Sequence, residues 1–274
     1  MEKLQNEKVV LFIKTLLQHS TIQKLKLVDD KGITVSTHTY DVLRTAVWNI
    51  KKDYPNNMEQ ASKRIDFFAL VVGVIIHDTT KATLRLSDSN ISHSNVMRKY
   101  PELVEEEAEF ILSEVEDMLN LKIKEEIKTH IKHIVVSHHG RWGKVRPETL
   151  EARIVHEADK YSALYHRITP IGAKKIVKLM SEGYRKEEII KMTGYTEGII
   201  TDRLKRAKQE LKLKTNRDLI KHYLRKGKIP DGDSFFTKRI NEIQNLIYKV
   251  EKVGFEELIL QISLINYMKD FKVF

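Results

Sequence analysis

Cysteine is absent from the 274-residue sequence, which excludes disulfide bridges, thiolate-held zinc, iron-sulfur clusters and a thiol nucleophile. Any metal must be held by nitrogen and oxygen. Proline and glycine are scarce, at 5 and 11 residues, and strand-like alternation is rare, so helices are favoured over sheet. The longest apolar run, Phe67 to Ile76, falls short of the about 20 residues that cross a bilayer. Glu2, Lys3, Glu7 and Lys8 precede a short apolar stretch closed by Lys14, which is not the pattern of a secretory signal. A cytoplasmic protein with no membrane partner is expected. What is present is charge and core in balance: 41% hydrophobic and 31% charged residues describe a folded chain rather than a disordered one. Its length suits one large domain or two unequal ones, at about 150 residues per domain.

Lys and Arg number 48 against 38 Asp and Glu, a net charge of +10. Divided at 170 and 230, the basic and acidic counts are 25 and 24, 17 and 7, and 6 and 7. The excess therefore falls on the middle segment, the electrostatic footprint of a nucleic-acid-binding module; a solvated helical surface would give the same count. Ten of the 11 histidines lie in the first segment, so two chemistries are segregated along the chain.

In the middle segment apolar residues recur at Ala173, Ile176, Val177 and Met180, at Ile189 and Ile190, at Ile200, Leu204, Ala207 and Leu211, and at Leu219, Ile220, Tyr223 and Leu224. These spacings predict four short helices. Gly183 and Gly194 end the first two, Thr196 caps the third with Glu197 in its first turn, and Gly227 closes the fourth, which Thr215 and Asp218 cap. A tight turn at Gly194-Tyr195 gives the second and third the form of a helix-turn-helix.

The run from Ile176 to Lys228, with Asn216-Arg217-Asp218-Leu219 opening its last helix, resembles the LuxR-type DNA-binding domain, and Arg203 to Lys208 also resembles region 4 of sigma factors. The resemblance implies a third helix in the major groove and double-stranded DNA as partner. With Ile200, Leu204, Ala207 and Leu211 on the core face, Glu197, Gly198, Thr201, Asp202, Lys205 and Lys208 face outward. Thr201 and Lys205 are expected to approach bases, and Arg203, Arg206 and Lys208 to grip the phosphate backbone. Use of the same fold as a protein-docking unit stays open.

The first segment reads as helical over 41–50, 61–76, 104–119, 126–136 and 150–164. Within it stand His38, the pair His77-Asp78, the pair His138-His139, and Asp159. An adjacent His-Asp at a helix end can aim two ligands at one metal while the others converge from further helices. The ordered set resembles the HD superfamily of metal-dependent phosphohydrolases. It is carried by Thr37-His38-Thr39-Tyr40, Ile76-His77-Asp78-Thr79-Thr80-Lys81, Ser137-His138-His139-Gly140, and Glu151-Ala152 through His156-Glu157-Ala158-Asp159. Ser137 to Gly143, with Pro147 and Thr149, is similar to the HD domains of bacterial 3′-to-5′ exoribonucleases. No oligonucleotide-binding barrel accompanies it, so an RNA substrate does not follow.

The resemblance implies that His38, His77, Asp78 and Asp159 hold one metal, and that His93, His138 and His139 complete a second site. An exposed loop histidine is the alternative for His93. Asp78 is the expected bridging and catalytic carboxylate. Lys81, four residues after His77 and placed on the same helix face, is expected to reach phosphate oxygens. Arg141 and Lys160 are weaker candidates for that task, with a surface role the alternative for Arg141. His130, His133 and His156 are read as helix-surface or core-edge histidines, with His133 alternatively orienting a ligand. One or two divalent ions per chain, Mn, Fe, Co, Ni or Zn, suit such a donor set.

After Phe236 the spacing Ile240, Ile243, Ile247, Val250 makes a short heptad stripe that Gly254 breaks, and Leu258, Ile262 and Ile265 mark a second amphipathic helix. This hairpin is either a dimerisation element or a lid on the chain's own core. The organisation expected is an all-α chain: an HD domain at 1–168, a helix-turn-helix domain at 169–230 and C-terminal helices at 231–274, assembling as a homodimer because two half-sites double the DNA contacts. Three functions fit: a phosphohydrolase of a nucleotide or nucleic-acid phosphoester joined to a DNA-binding unit, a transcription regulator whose HD domain senses a nucleotide or metal without turnover, and a nuclease whose basic module recruits polynucleotide.

Overall fold

The chain folds into two compact units, Met1–Arg167 with Leu246–Phe274, and Ile168–Asn245. The structure, a computed structural model, describes residues 2–30, 32–87, 91–166, 172–193, 195, 197–229, 233–262, 267–268 and 273–274; the side chains of 2–6 and 233–240 lie outside that description. Among the described residues there is no strand, only an isolated bridge between Asp29 and Thr34.

The first unit is built from α1 (Glu2–Gln18), α2 (Ser20–Gln23), α3 (Val35–Asp53), α4 (Met58–Ser62), α5 (Phe67–Ile76), α6 (Thr79–Leu86), α7 (His93–Lys99), α8 (Pro101–Leu119), α9 (Glu125–Ser137) and α10 (Leu150–Tyr165). Every residue of α5 is buried, as its uninterrupted apolar sequence requires of a helix packed on all sides. The helix expected over 61–76 is instead two, because Asp66 caps a new start by accepting from the Ala69 amide at 2.9 Å. Gly73 sets how closely α5 meets α9: a Cβ there would lie 2.7 Å from Ile134 Cγ2. That approach brings together the C-terminal ends of the two helices, where His77 and His138 stand. The stretch Phe67–Leu86 is long and apolar enough to span a bilayer by composition, and 89% of its most apolar 18-residue window is buried inside the fold.

The second unit contains α11 (Ala173–Ser181), α12 (Lys186–Thr193), α13 (Glu197–Glu210) and α14 (Asn216–Lys226). Ile176, Val177, Ile189, Ile200, Leu204, Ala207 and Leu219 form its core, the residues that the spacing puts on the inner faces. Thr215 and Asp218 make a reciprocal capping box, and Gly227 ends α14 at φ 62°. Gly194 and Thr196 lie outside the described residues.

Helix α15 (Asp233–Val253) belongs to the second unit through Asn245 and to the first from Leu246. Gly254, at φ 95°, turns the chain into α16 (Phe255–Ile262). Leu246, Phe255, Leu258, Ile259, Met268 and Val273 are members of the first unit's core, and Glu256 accepts from Gln23 at 2.6 Å and pairs with Lys26. Ile243 is buried as well. Of the two roles open to these helices, these contacts display packing on the chain's own core; the side chains of Phe236 and Ile240, and Ile265, are outside the described residues.

Candidate metal centre

Two helix ends supply the centre. His77 and His138 are the C-cap residues of α5 and α9, where helical carbonyls lack amide partners. Each histidine uses one: His77 Nδ1 donates to Val74 O and His138 Nδ1 to Val135 O, both at 2.6 Å. A carbonyl only accepts, so the proton sits on Nδ1 and a neutral ring keeps its lone pair on Nε2.

Asp78 follows His77 as the N-cap of α6, and its two carboxylate oxygens face different ligands. Oδ1 lies 3.3 Å from His93 Nε2 and 3.7 Å from His138 Nε2. Oδ2 lies 3.5 Å from both His38 Nε2 and His77 Nε2. His38, in the first turn of α3 behind the Thr34 cap, has Nε2 2.9 Å from Asp159 Oδ1 on α10 and Nδ1 3.0 Å from Ser162 Oγ. His93 opens α7 after the Ser92 cap, and its ring lies 5.7 Å from that of His138 and 5.1 Å from that of His139. Ligand atoms of His38, His77, Asp78 and Asp159 fall within 4.8 Å of one another, as do those of His93, His138 and His139. The expected residues thus form two adjoining groups with Asp78 turned to both, and His93 is buried rather than on an exposed loop.

The donor set fits a cation. His77 Nε2, His93 Nε2, His138 Nε2 and Asp78 Oδ1 are buried and make no hydrogen bond; leaving such groups unsatisfied costs about 1–3 kcal/mol each. Burial pushes His93 down to about 3 and His138 well below the usual histidine range, with the neighbouring His139 and His77 adding to it for His138. Burial opposes the charge of Asp78, but its charged neighbours, the Lys81 ammonium foremost, hold the carboxyl well below its usual range. Neutral rings at His93 and His138 beside an ionised Asp78 are the protonation states a divalent metal needs.

Lys81 is not on the helix of His77. The chain turns at His77-Asp78, and Lys81 lies in α6, nearly buried, with Nζ 2.5 Å from Asp78 Oδ2 and 3.0 Å from Asp30 Oδ2. Asp30, buried in the turn before α3, is a site residue that sequence reasoning misses; nothing in its local pattern separates it from Asp29. Ser162 behind His38 is missed for the same reason. Gly140 follows the histidine pair at φ 54°, and a Cβ there would lie 2.4 Å from His156 Cε1. His156 uses that space to donate from Nδ1 to His138 O at 2.7 Å. His133 Nε2 accepts from the Glu148 amide and His130 pairs with Glu151, so neither reaches a ligand. Arg141 stacks on Trp142 and Lys160 pairs with Glu157, both exposed.

On α13, Thr201, Lys205 and Arg206 are exposed and Lys208 half-buried. Arg206 Nε lies 2.9 Å from Asp202 Oδ2. Arg203 differs from the expectation: it is 6% exposed, because three residues after Ile200 and four before Ala207 it falls on the inward stripe. It is not placed to grip a phosphate.

Residues 35–164, which hold the candidate ligand residues named above, match the family model of the HD domain, a family typical of metal-dependent phosphohydrolases. The match stops before α11. No curated protein and no solved structure gave a significant match to the chain.

Proposed function

We propose that this protein is a metal-dependent phosphohydrolase of a nucleotide or nucleic-acid phosphoester, coupled to duplex-DNA binding by α11–α14. The observation that carries the reading is the split of Asp78, one oxygen toward His93 and His138 and the other toward His38 and His77. His38, His77, Asp78 and Asp159 would hold one divalent ion, and His93, His138 and His139, with Asp78, a second. A bound ion there supplies Lewis acidity toward an attacking water and a phosphoryl oxygen.

The chain's own residues do the rest. The carbonyls of Val74 and Val135 fix the ring orientation of His77 and His138, Ser162 does so for His38, and burial keeps His93 and His138 neutral. Lys81 brings positive charge beside Asp78, where it offsets the charge that develops on phosphoryl oxygens. Mn, Fe, Co, Ni or Zn are all compatible with nitrogen and oxygen donors. The basic count of the second unit and the exposed Thr201, Lys205 and Arg206 support a DNA-binding role for α13, and the expected homodimer would pair two such helices on one duplex.

Purified protein is expected to contain one or two metal ions per chain and Asp78→Ala close to none; an unchanged metal content would overturn the reading. Hydrolysis of a nucleotide panel should disappear in His77→Ala. Metal binding with no turnover of any nucleotide would make the HD domain a sensor, and degradation of single-stranded polymer in preference to nucleotides would make the protein a nuclease. Duplex binding should weaken steeply with salt, with Arg206→Gln and Lys208→Gln together lowering the salt slope by roughly 2 if each meets one phosphate.

A further inference from the structure

Lys81 is an ammonium between two buried carboxylates, and only one of them belongs to the candidate ligand groups. Asp78 Oδ2, 2.5 Å from Nζ, belongs to the ligand groups; Asp30 Oδ2, at 3.0 Å, does not. Both side chains of the Asp30–Lys81 pair are largely shielded from solvent, at 8% and 10% exposed. A cation taken up by Asp78 competes with Lys81 for the same carboxylate charge. Asp30 then remains as the anion that keeps the ammonium at the centre, because a buried lysine without a partner is strongly disfavoured. An ammonium has three N–H donors, and the two carboxylates account for two.

We propose that Asp30 is a positioning residue that holds Lys81 at the metal centre and aims its remaining donor at a phosphoryl oxygen; the inference rests on the phosphohydrolase reading above. The turn that presents Asp30 is closed by its backbone. Asp30 N donates to Ile33 O at 2.8 Å, Val35 N to Val28 O at 2.9 Å, and Gly32 N to Asp29 Oδ1 at 3.2 Å. Thr34, at the end of the same turn, caps the helix that carries His38. None of these bonds uses the Asp30 carboxylate, and its contact with Lys81 is one that a substitution removes.

The test is a double-mutant cycle on the manganese-loaded full chain, read by calorimetric binding of inorganic phosphate and by kcat and KM for a hydrolysed nucleotide. Asp30→Asn and Lys81→Met are each expected to keep metal content and to lose roughly 10- to 100-fold in phosphate affinity and in kcat, while the double variant loses no more than Lys81→Met alone. Additive losses, or full phosphate affinity in Asp30→Asn, overturn the proposal. Should Asp30→Asn not fold, Asp30→Glu serves: retained phosphate affinity supports the proposal, and a loss equal to that of Lys81→Met overturns it. A coupled cycle in phosphate binding without hydrolysis of any nucleotide leaves Asp30 in this role and removes only the hydrolase reading. Hydrolysis with an additive cycle does the reverse.

Discussion

The two units hold their charge in opposite ways. In the first, His38, His77, Asp78 and His138 are at most 1% exposed, and several of their ligand atoms make no hydrogen bond. In the second, Lys205 and Arg206 face solvent, and Arg206 has an i, i+4 partner in Asp202. Buried polar atoms without partners are costly in isolation, so their gathering in one place points to a cation as their common partner. Exposed cations cost nothing to keep, so a basic surface alone is compatible with DNA, with a protein partner or with solvent. Chemistry is thus more firmly anchored in the first unit than recognition is in the second.

The contrast breaks hardest at Gly140. Adding a methyl group at φ 54° into the space of the His156 ring should destabilise the first unit by about 1–3 kcal/mol from backbone strain alone, with metal affinity falling as His138 shifts. Thermal unfolding and metal titration of Gly140→Ala check this, and an unperturbed variant would mean that the His156 contact does not hold the histidine turn.

A second probe sits behind the ligands, where Asp41 adjoins Ser162, the partner of His38. Burial raises Asp41, yet the hydrogen bond and charge of His166, then Arg44 and Ser162, bring it down to about 2 from 3.8. A depressed carboxyl stabilises the folded state above its unfolded pKa, and that stability is lost as pH falls through the folded value. The pair should contribute roughly 2 kcal/mol at neutral pH, lost between about pH 4 and pH 2. Denaturation of Asp41→Asn across that range should give a flatter profile than the parent.

The smallest effect sharpens the second unit. Arg203→Gln should lower its stability by about 1 kcal/mol or more, whereas Lys205→Gln should stay within roughly 0.5 kcal/mol and change only DNA affinity. Equal stability losses would show that α13 is rotated about its axis, with Arg203 and Lys205 sharing the boundary between core and solvent.

The candidate ligands His38, His77-Asp78, His138-His139 and Asp159 are legible in the sequence because they follow a recognisable order, whereas His93, alone in a polar stretch, leaves an exposed loop histidine as its alternative. The four helices of the second unit are legible because spacing and end glycines agree. Asp30, Ser162 and the packing space at Gly140 are not, since each acts through a residue well separated along the chain that only the packing of α3, α6 and α10 brings near. The split of the 61–76 helix is hidden by continuous apolar sequence, which gives no register at a break. Arg203 shows a different failure: the period places it inward, and its charge argues it outward. The aliphatic stem of an arginine makes the inward position tolerable.

The closeness of α5 and α9, set by Gly73 against Ile134, has an electrostatic sequel. Both helices run toward the centre and end there, so two macrodipoles deliver about half a negative charge each to one place. A divalent ion arriving at the site meets a field drawn from the backbone itself, before any carboxylate is counted. Replacing single ligands therefore leaves part of the attraction intact, whereas separating the two helix ends with a larger residue at position 73 would weaken every ion held between them at once.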